Sequence, residues 1–262
     1  MIAVVIALQA EAGPFLSRLD DARHTRLGEF PLTAGKCGGA DVLVCRSGIG
    51  VRGQTAARLL LQRHSPAVLV SAGFGGGLDP GLKTGDVVLC ERVHIGGAPE
   101  EMDIAGDEGL LRLAGEAAAK AGLRAVRGGA VTVDHVAATP GEKALLYRSG
   151  CLVAEMEGHG VGLAAQAAGV PFLALRVVLD EADEGLGGGP RLVAEDGGTR
   201  VQRAVRYMAA HPWALPALMR LGRKRSLASD ALSDLLEAFV THPALAAASG
   251  GGAAVGETGA CS

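Results

Sequence analysis

The sequence predicts an α/β fold, and three observations carry that prediction. The 262 residues are 48% hydrophobic but only 3% aromatic, which suits a sheet covered by helices of small residues better than an aromatic-cored sandwich. Short β-rich apolar runs alternate with helical patterns along most of the chain. The segment from Cys151 to Val178 reads as strand, helix and strand in a βαβ crossover of minimal length.

Taken in order, Ile2 to Leu8 is an apolar strand, and Glu11 to Leu19 has helical spacing. Pro31 to Arg46 holds two strand-like pieces. A helix over Val51 to Gln62 leads into a buried strand, Ala67 to Ser71. Asp86 to Val93 is a strand, Glu108 to Ala121 a helix, and Ala130 to Val133 a short strand. Strand Cys151 to Met156, helix Val161 to Ala168 and strand Pro171 to Val178 follow. After Asp183 the glycines of EGLGGGP predict a mobile loop or lid hinge. A helical region is expected from about Thr199 to Val240, interrupted at Pro212 and Pro216. The expected organisation is one domain over 1–240, with a C-terminal helical extension from about 199 and a disordered low-complexity tail over 248–262.

Composition narrows the function classes. A formal net charge of −3 gives no pull toward nucleic acid. Five cysteines without a C-x-x-C pair read as reduced core residues. No stretch reaches the roughly 18 apolar residues that span a bilayer, and the opening run lacks the basic start of a signal peptide, so the expected location is cytoplasmic. The seven histidines show no H-x-x-x-H or H-E-x-x-H spacing, so no metal is expected.

Ligands of open α/β sheets bind beyond the carboxyl ends of strands. Those ends carry Gln9 and Glu11, then Gly73, Phe74, Gly75, Gly76 and Gly77, then Glu157, and last Asp180, Glu181 and Asp183. Glu11 can be read as a first-turn helix residue favoured by the macrodipole or as a site carboxylate. GFGGG is followed by a turn and a strand, not a helix, so it is no dinucleotide fingerprint; close backbone approach to a ligand stays open. Arg176, inside the apolar run FLALRVVL, requires an anionic partner. Glu155 and Glu157 share a face if both lie in the strand and diverge if the strand ends between them.

Four motifs in order, SGIG (47–50), SAGFGGGLDPGLKTGDVVL (71–89), VAEMEG (153–158) and RVVLDEAD (176–183), resemble the purine nucleoside phosphorylase and nucleosidase superfamily, nearest its methylthioadenosine/S-adenosylhomocysteine nucleosidase branch. The resemblance implies a three-layer fold with a central mixed, mostly parallel twisted sheet flanked by helices. It implies that Asp180 is the general acid at purine N7, and that Glu157 binds the ribose hydroxyls with Met156 packed beneath the sugar. It further implies that Glu11 orients or deprotonates the nucleophile with Arg176 close by, and that Asp134 to Ala137 present backbone groups and Val136 to the base. Phe74 and Gly75 would line the same site. The residue types suit an oxocarbenium-like transition state, which calls for an acid at the leaving group and carboxylates about the sugar.

Phe74 stands where the family commonly has a serine that helps hold water or phosphate. Hydrolysis and phosphorolysis, with phosphate as co-substrate and no other cofactor, therefore both stay open. Residues 211–240, HPWALPALMRLGRKRSLASDALSDLLEAFV, place Trp213 and several leucines beside Arg220, Arg223, Lys224 and Arg225. That composition fits an interfacial membrane helix at 211–225 or an amphipathic helix packed on the domain or in a subunit contact. With DGGTR at 196–200, this extension resembles hopanoid-associated nucleoside phosphorylase-like proteins. The implied substrate is a lipid-tailed adenosine cleaved to adenine and a ribosyl-hopane, and the implied location peripheral at the inner membrane; the superfamily, typically dimeric or hexameric, makes a homodimer the expected assembly. Methylthioadenosine/S-adenosylhomocysteine or futalosine nucleosidase activity, and a silent nucleoside-binding module, are the alternatives.

Overall fold

The computed structural model describes residues 1–185 and 215–245, with side chains of 215–220 left aside. The strands are β1 (Ile2–Ile6), β2 (Asp20–Leu27), β3 (Phe30–Cys37), β4 (Ala40–Arg46), β5 (Val68–Gly77), β6 (Val87–Ile95), β7 (Ile104–Ala105), β8 (Ala125–Thr132), β9 (Cys151–Glu155) and β10 (Phe172–Asp180). The helices are α1 (Gln9–Leu16), α2 (Arg52–Arg63), α3 (Glu108–Lys120), α4 (Pro140–Tyr147), α5 (Gly158–Ala168) and α6 (Leu215–Val240). Sheet order is β10-β6-β8-β9-β5-β1-β4-β3-β2, with β7 on β6 and an added β10–β5 pairing. The sheet is mixed, with helices on both faces.

Strict alternation along the central strands sorts side chains into two apolar layers. Val4, Val44, Val70 and Leu175 face Phe15 of α1, Leu111 of α3 and Leu232 and Phe239 of α6. Val5, Cys45, Leu69 and Ala174 face Ala57 and Leu60 of α2 and Val161 and Ala165 of α5. Cys37, Cys45, Cys90 and Cys151 are buried free thiols, as expected.

Because β10 pairs with both β5 and β6, strands β5, β10, β6, β8 and β9 form a closed ring. β5 is the hinge of this closure. Its start lies parallel to β1, whereas Gly76 and Gly77 pair antiparallel with Ala154 and Val153 of β9. A Cβ on Gly75 would stand 2.2 Å from Val153 Cγ2, so the close approach that requires this glycine is to β9 itself.

Several sequence expectations need revision. β9 and β10 do not pair as a βαβ unit; they flank β5, with β9 on β8 and β10 on β6. β2 was not expected, since its eight residues are nearly all exposed and polar, as an edge strand permits. α4 was also unforeseen, although Thr139, Pro140 and Glu142 form a capping box. Pro216 does not interrupt a helix; it sits in the first turn of α6, where its missing N–H is tolerated. The glycine-rich loop beyond Gly185, the segment from 199 to 214 and the tail lie outside the described residues.

Candidate active site

Register at β5 brings the motifs together. Gly76 is paired on one side with Asp180 of β10 and on the other with Ala154 of β9. Asp180 and the strand that leads into the E-M-E motif thus flank one residue. Thr132, at the end of β8, is paired with Glu155, so the segment from Asp134 to Ala137 leaves from beside that motif.

The strand ends between the two glutamates, and they diverge. Glu155 is the last residue of β9 and fully inside: its Oε2 accepts from the backbone N–H of Glu157 at 2.9 Å and of Gly158 at 2.6 Å, and from Arg176 Nη2 at 2.5 Å. Thr132 Oγ1 donates to its other oxygen. Arg176 and these donors hold the Glu155 carboxyl below its ordinary range against the opposing effect of burial. Glu155 is therefore the anionic partner that Arg176 required.

Arg176 is 1% exposed. Nη1 donates to the carbonyls of Ser71 and Leu175, both at 2.8 Å, and Nη2 to Ser71 Oγ at 2.8 Å and to Glu155. All four terminal N–H groups are engaged, and only Nε lacks a partner among the described residues. Gly158 makes room for this pair: a Cβ there would lie 3.0 Å from both Glu155 oxygens, and one on Gly160 would lie 2.9 Å from Gln54 Cβ of α2. Both glycines after E-M-E thus serve internal packing.

Glu157, past the strand, turns toward α2. Its Oε1 accepts from the backbone N–H of Gly50 at 2.7 Å, in the SGIG turn where Gly50 has φ +76°. Burial, and then the charge of Glu155, push its carboxyl up to about 8. Glu11 is buried in the first turn of α1, with Oε2 accepting from Leu8 N at 2.7 Å and Oε1 from Phe74 N at 2.8 Å. It caps its own helix and also ties the end of that helix to β5 through Phe74. Burial raises its carboxyl, partly offset by those two backbone donors and the charge of Arg176. Phe74 contributes its N–H to Glu11 while its ring is half-buried against the first core layer.

Asp180 is 7% exposed. Lys143 Nζ of α4 donates to its Oδ2 and, at 2.6 Å, to the carbonyl of Glu181. Burial raises the Asp180 carboxyl, with Lys143 pulling the other way. Of the remaining expected residues, Met156 is half-buried, Ala137 buried and Val136 56% exposed at the rim. Among the described residues no cluster of His, Cys, Asp and Glu could hold a metal ion, and no helix is long and apolar enough to cross a membrane.

Lys143 was missed by the sequence reading. The signal lies in α4, where Lys143 is wholly buried while Leu145 is 62% exposed, the reverse of ordinary partitioning. That inversion becomes visible only once the helix faces are assigned.

The phosphorylase superfamily model matches residues 1–211. The chain belongs to this family. It is an enzyme of the N-glycosidic-bond-cleaving kind. It is 29% identical over 199 residues to a 5'-methylthioadenosine/S-adenosylhomocysteine nucleosidase of Shewanella halifaxensis, covering 70% of this chain and 86% of that one. In fold it resembles the Neisseria meningitidis 5'-methylthioadenosine/S-adenosylhomocysteine nucleosidase solved with methylthio-immucillin-A, with TM-score 0.73, 19% identity and coverage of 92% and 98%. The futalosine hydrolase of Helicobacter pylori superposes with TM-score 0.71 at 19% identity, covering 91% and 96%.

Proposed function

We propose that the protein hydrolyses the N-ribosyl bond of a 5′-modified adenosine and releases adenine, and that its physiological substrate carries an apolar 5′ tail of the adenosylhopane type. The observation carrying the reaction is the junction at Gly76, where Asp180 and the E-M-E strand end meet. As the C1′–N9 bond breaks, Asp180 gives a proton to N7 and neutralises the departing base. Glu157 accepts from the ribose hydroxyls, and Met156 floors the sugar. Water adds its oxygen to C1′ and its proton passes to Glu11. Val136 and Ala137 border the base. No metal or organic cofactor enters this scheme.

Hydrolysis is favoured over phosphorolysis by the state of Arg176, whose terminal N–H groups are all spent on protein acceptors, and by the phenyl group of Phe74, which cannot donate. A phosphate would have to draw on Arg46 at the end of β4 and on backbone donors. For the apolar tail, support comes from the start of α6, where Leu221 and Leu227 are exposed beside Arg223 and Arg225. Lys224 there bonds Glu184 at 2.5 Å, four residues past the acid. That end of α6 is suited to peripheral contact with an anionic membrane. A homodimer is the assembly we expect.

A second reading, nucleosidase action on methylthioadenosine, S-adenosylhomocysteine or futalosine, rests on the likeness to the Shewanella and Helicobacter proteins. Purified protein incubated with each of these and with a 5′-alkyl adenosine, with and without phosphate, separates the readings through free adenine. Release confined to the alkyl substrate supports the tail; phosphate dependence overturns hydrolysis. Binding without release from any of them points to a silent module. Asp180→Asn is expected to lower release by about 10²-fold or more, and full activity in that variant refutes the acid.

A further inference from the structure

Lys143 has no exposure at all and carries an ammonium group between α4 and the end of β10. Nζ donates to Asp180 Oδ2 and to the carbonyl of Glu181. Asp180 Oδ1 accepts no hydrogen bond among the described residues. Lys143 also borders the β5 junction, since a Cβ on Gly76 would lie 3.5 Å from Asp180 Oδ2 and 3.9 Å from Lys143 Cε. A buried cation whose partners are the acid and one backbone carbonyl is expensive to keep. Nearby, Leu145 is left in water on the same helix, so α4 has not been arranged for burial of apolar surface alone.

We infer that Lys143 is the positioning residue of the acid: it pins Oδ2, leaves Oδ1 as the oxygen that carries the transferable proton, and stabilises the carboxylate formed when that proton leaves. The inference rests on the assignment of Asp180 as the acid. The proton moves from Asp180 Oδ1 to purine N7, the electron pair of the breaking C1′–N9 bond passes to the base, and Lys143 stays an ammonium throughout. Burial without Lys143 would keep the acid protonated and make it a poor donor; with Lys143 the product state is an ion pair already in place.

Other charges that face Asp180 are Lys224 from α6 and Glu184 from its own loop, with Glu181 beside it tied to Lys83 of the β5–β6 connection at 2.7 Å. Their bonds are to one another. They form a neutralised outer ring and leave Lys143 as the direct contact.

The test is Lys143→Met, which keeps length and removes charge, beside Lys143→Gln, which keeps a donor for the Glu181 carbonyl. In both, the Asp180 carboxyl, followed by carbon-13 NMR and assigned by its loss in Asp180→Asn, should titrate about 1–3 pH units higher than in the wild type. The alkaline limb of kcat/KM for methylthioadenosine or the 5′-alkyl adenosine should move the same way. We expect kcat to fall by about tenfold or more with KM changed less than about twofold. Lys143→Met should cost nothing further in an Asp180→Asn background. An unmoved Asp180 titration in either variant, or a rate loss that adds to that of Asp180→Asn, overturns the inference. The NMR titration needs no turnover. A wild type that releases no adenine therefore sinks the functional reading, while the titration still decides whether Lys143 controls Asp180.

Discussion

At the scale of single residues, the site separates two glutamates that are one residue apart from being neighbours. Glu155 spends its charge on Arg176 and on the backbone of α5's first turn, whereas Glu157 is held near neutrality by burial and by Glu155 itself. The folded state keeps a proton on Glu157 up to about pH 8, while the unfolded chain gives it up near 4.5. The native state then binds more protons than the unfolded one throughout that window, so this group's contribution to stability falls as pH rises from about 4.5 to about 8. Glu157→Gln removes the term. Urea midpoints at pH 5.5, 7 and 8.5 should show the variant gaining on the wild type with each step upward; a constant difference would contradict the assignment. A ribose diol that bonds the carboxylate should also bind more tightly as pH approaches 8. Much of this residue chemistry was legible in sequence. The E-M-E spacing posed the choice between a shared face and divergence, and Arg176 in an apolar run demanded an anion. The resemblance gave Glu157 the outward role, which leaves Glu155 for a basic neighbour; what was not legible was the physical cause, the end of β9 at Glu155, which turns that carboxylate inward to Arg176.

At the scale of elements, the closure of β5 onto β9 is what carries Asp180 to the E-M-E motif, and Gly75 is the point where the two strands come closest. An alanine methyl there would meet Val153 Cγ2 at 2.2 Å and the Ala154 carbonyl at 3.2 Å. Gly75→Ala should therefore destabilise by about 1–3 kcal/mol through overpacking and lower activity by shifting the strand end. Gly75→Ala with Val153→Ala, which removes the nearer clash, should recover part of both losses. Thermal unfolding and adenine release on the same preparations check this; no recovery would mean that the carbonyl contact, not the valine, sets the spacing. The sequence showed a glycine run and could not say what approached it. Periodicity reads the strands of the open part, where Val4 and Val5 fall on opposite faces, but ring closure depends on pairings between residues some eighty apart. The expected βαβ unit failed for that reason: β9 and β10 each found β5 as a neighbour in place of one another.

For the molecule as a whole, α6 decides where the domain ends. It reads in sequence as an appended helix with a basic start, and Leu221, Arg223 and Arg225 are indeed exposed, but its second half is core. Leu232, Leu235, Leu236, Phe239 and Val240 are all fully buried, and Arg18 of the α1–β2 connection reaches across to Asp234 and Glu237, both at 2.6 Å. Five such side chains at about 1.5–3 kcal/mol each amount to on the order of 10 kcal/mol, comparable with the whole stability of a typical domain, about 5–15 kcal/mol. The surface ion pairs add little beside this. A chain ending at Gly185 keeps every residue assigned to the chemistry, Glu11, Glu157, Lys143, Arg176 and Asp180 included, and should still fail to fold cooperatively. Replacing Arg223 and Arg225 by glutamine changes exposed side chains of α6; it removes the minor lowering that the Arg225 charge exerts on the Glu11 carboxyl, and should leave urea unfolding and turnover of methylthioadenosine within about twofold. The same pair of changes should reduce adenine release from a 5′-alkyl adenosine embedded in anionic vesicles, since each basic residue near such a surface contributes about 1 kcal/mol of attraction. A truncated chain that unfolds cooperatively with native midpoint would show that α6 is an appendage after all. An unchanged vesicle rate in the glutamine variant would remove the basic end of the helix from any part in reaching a lipid-tailed substrate.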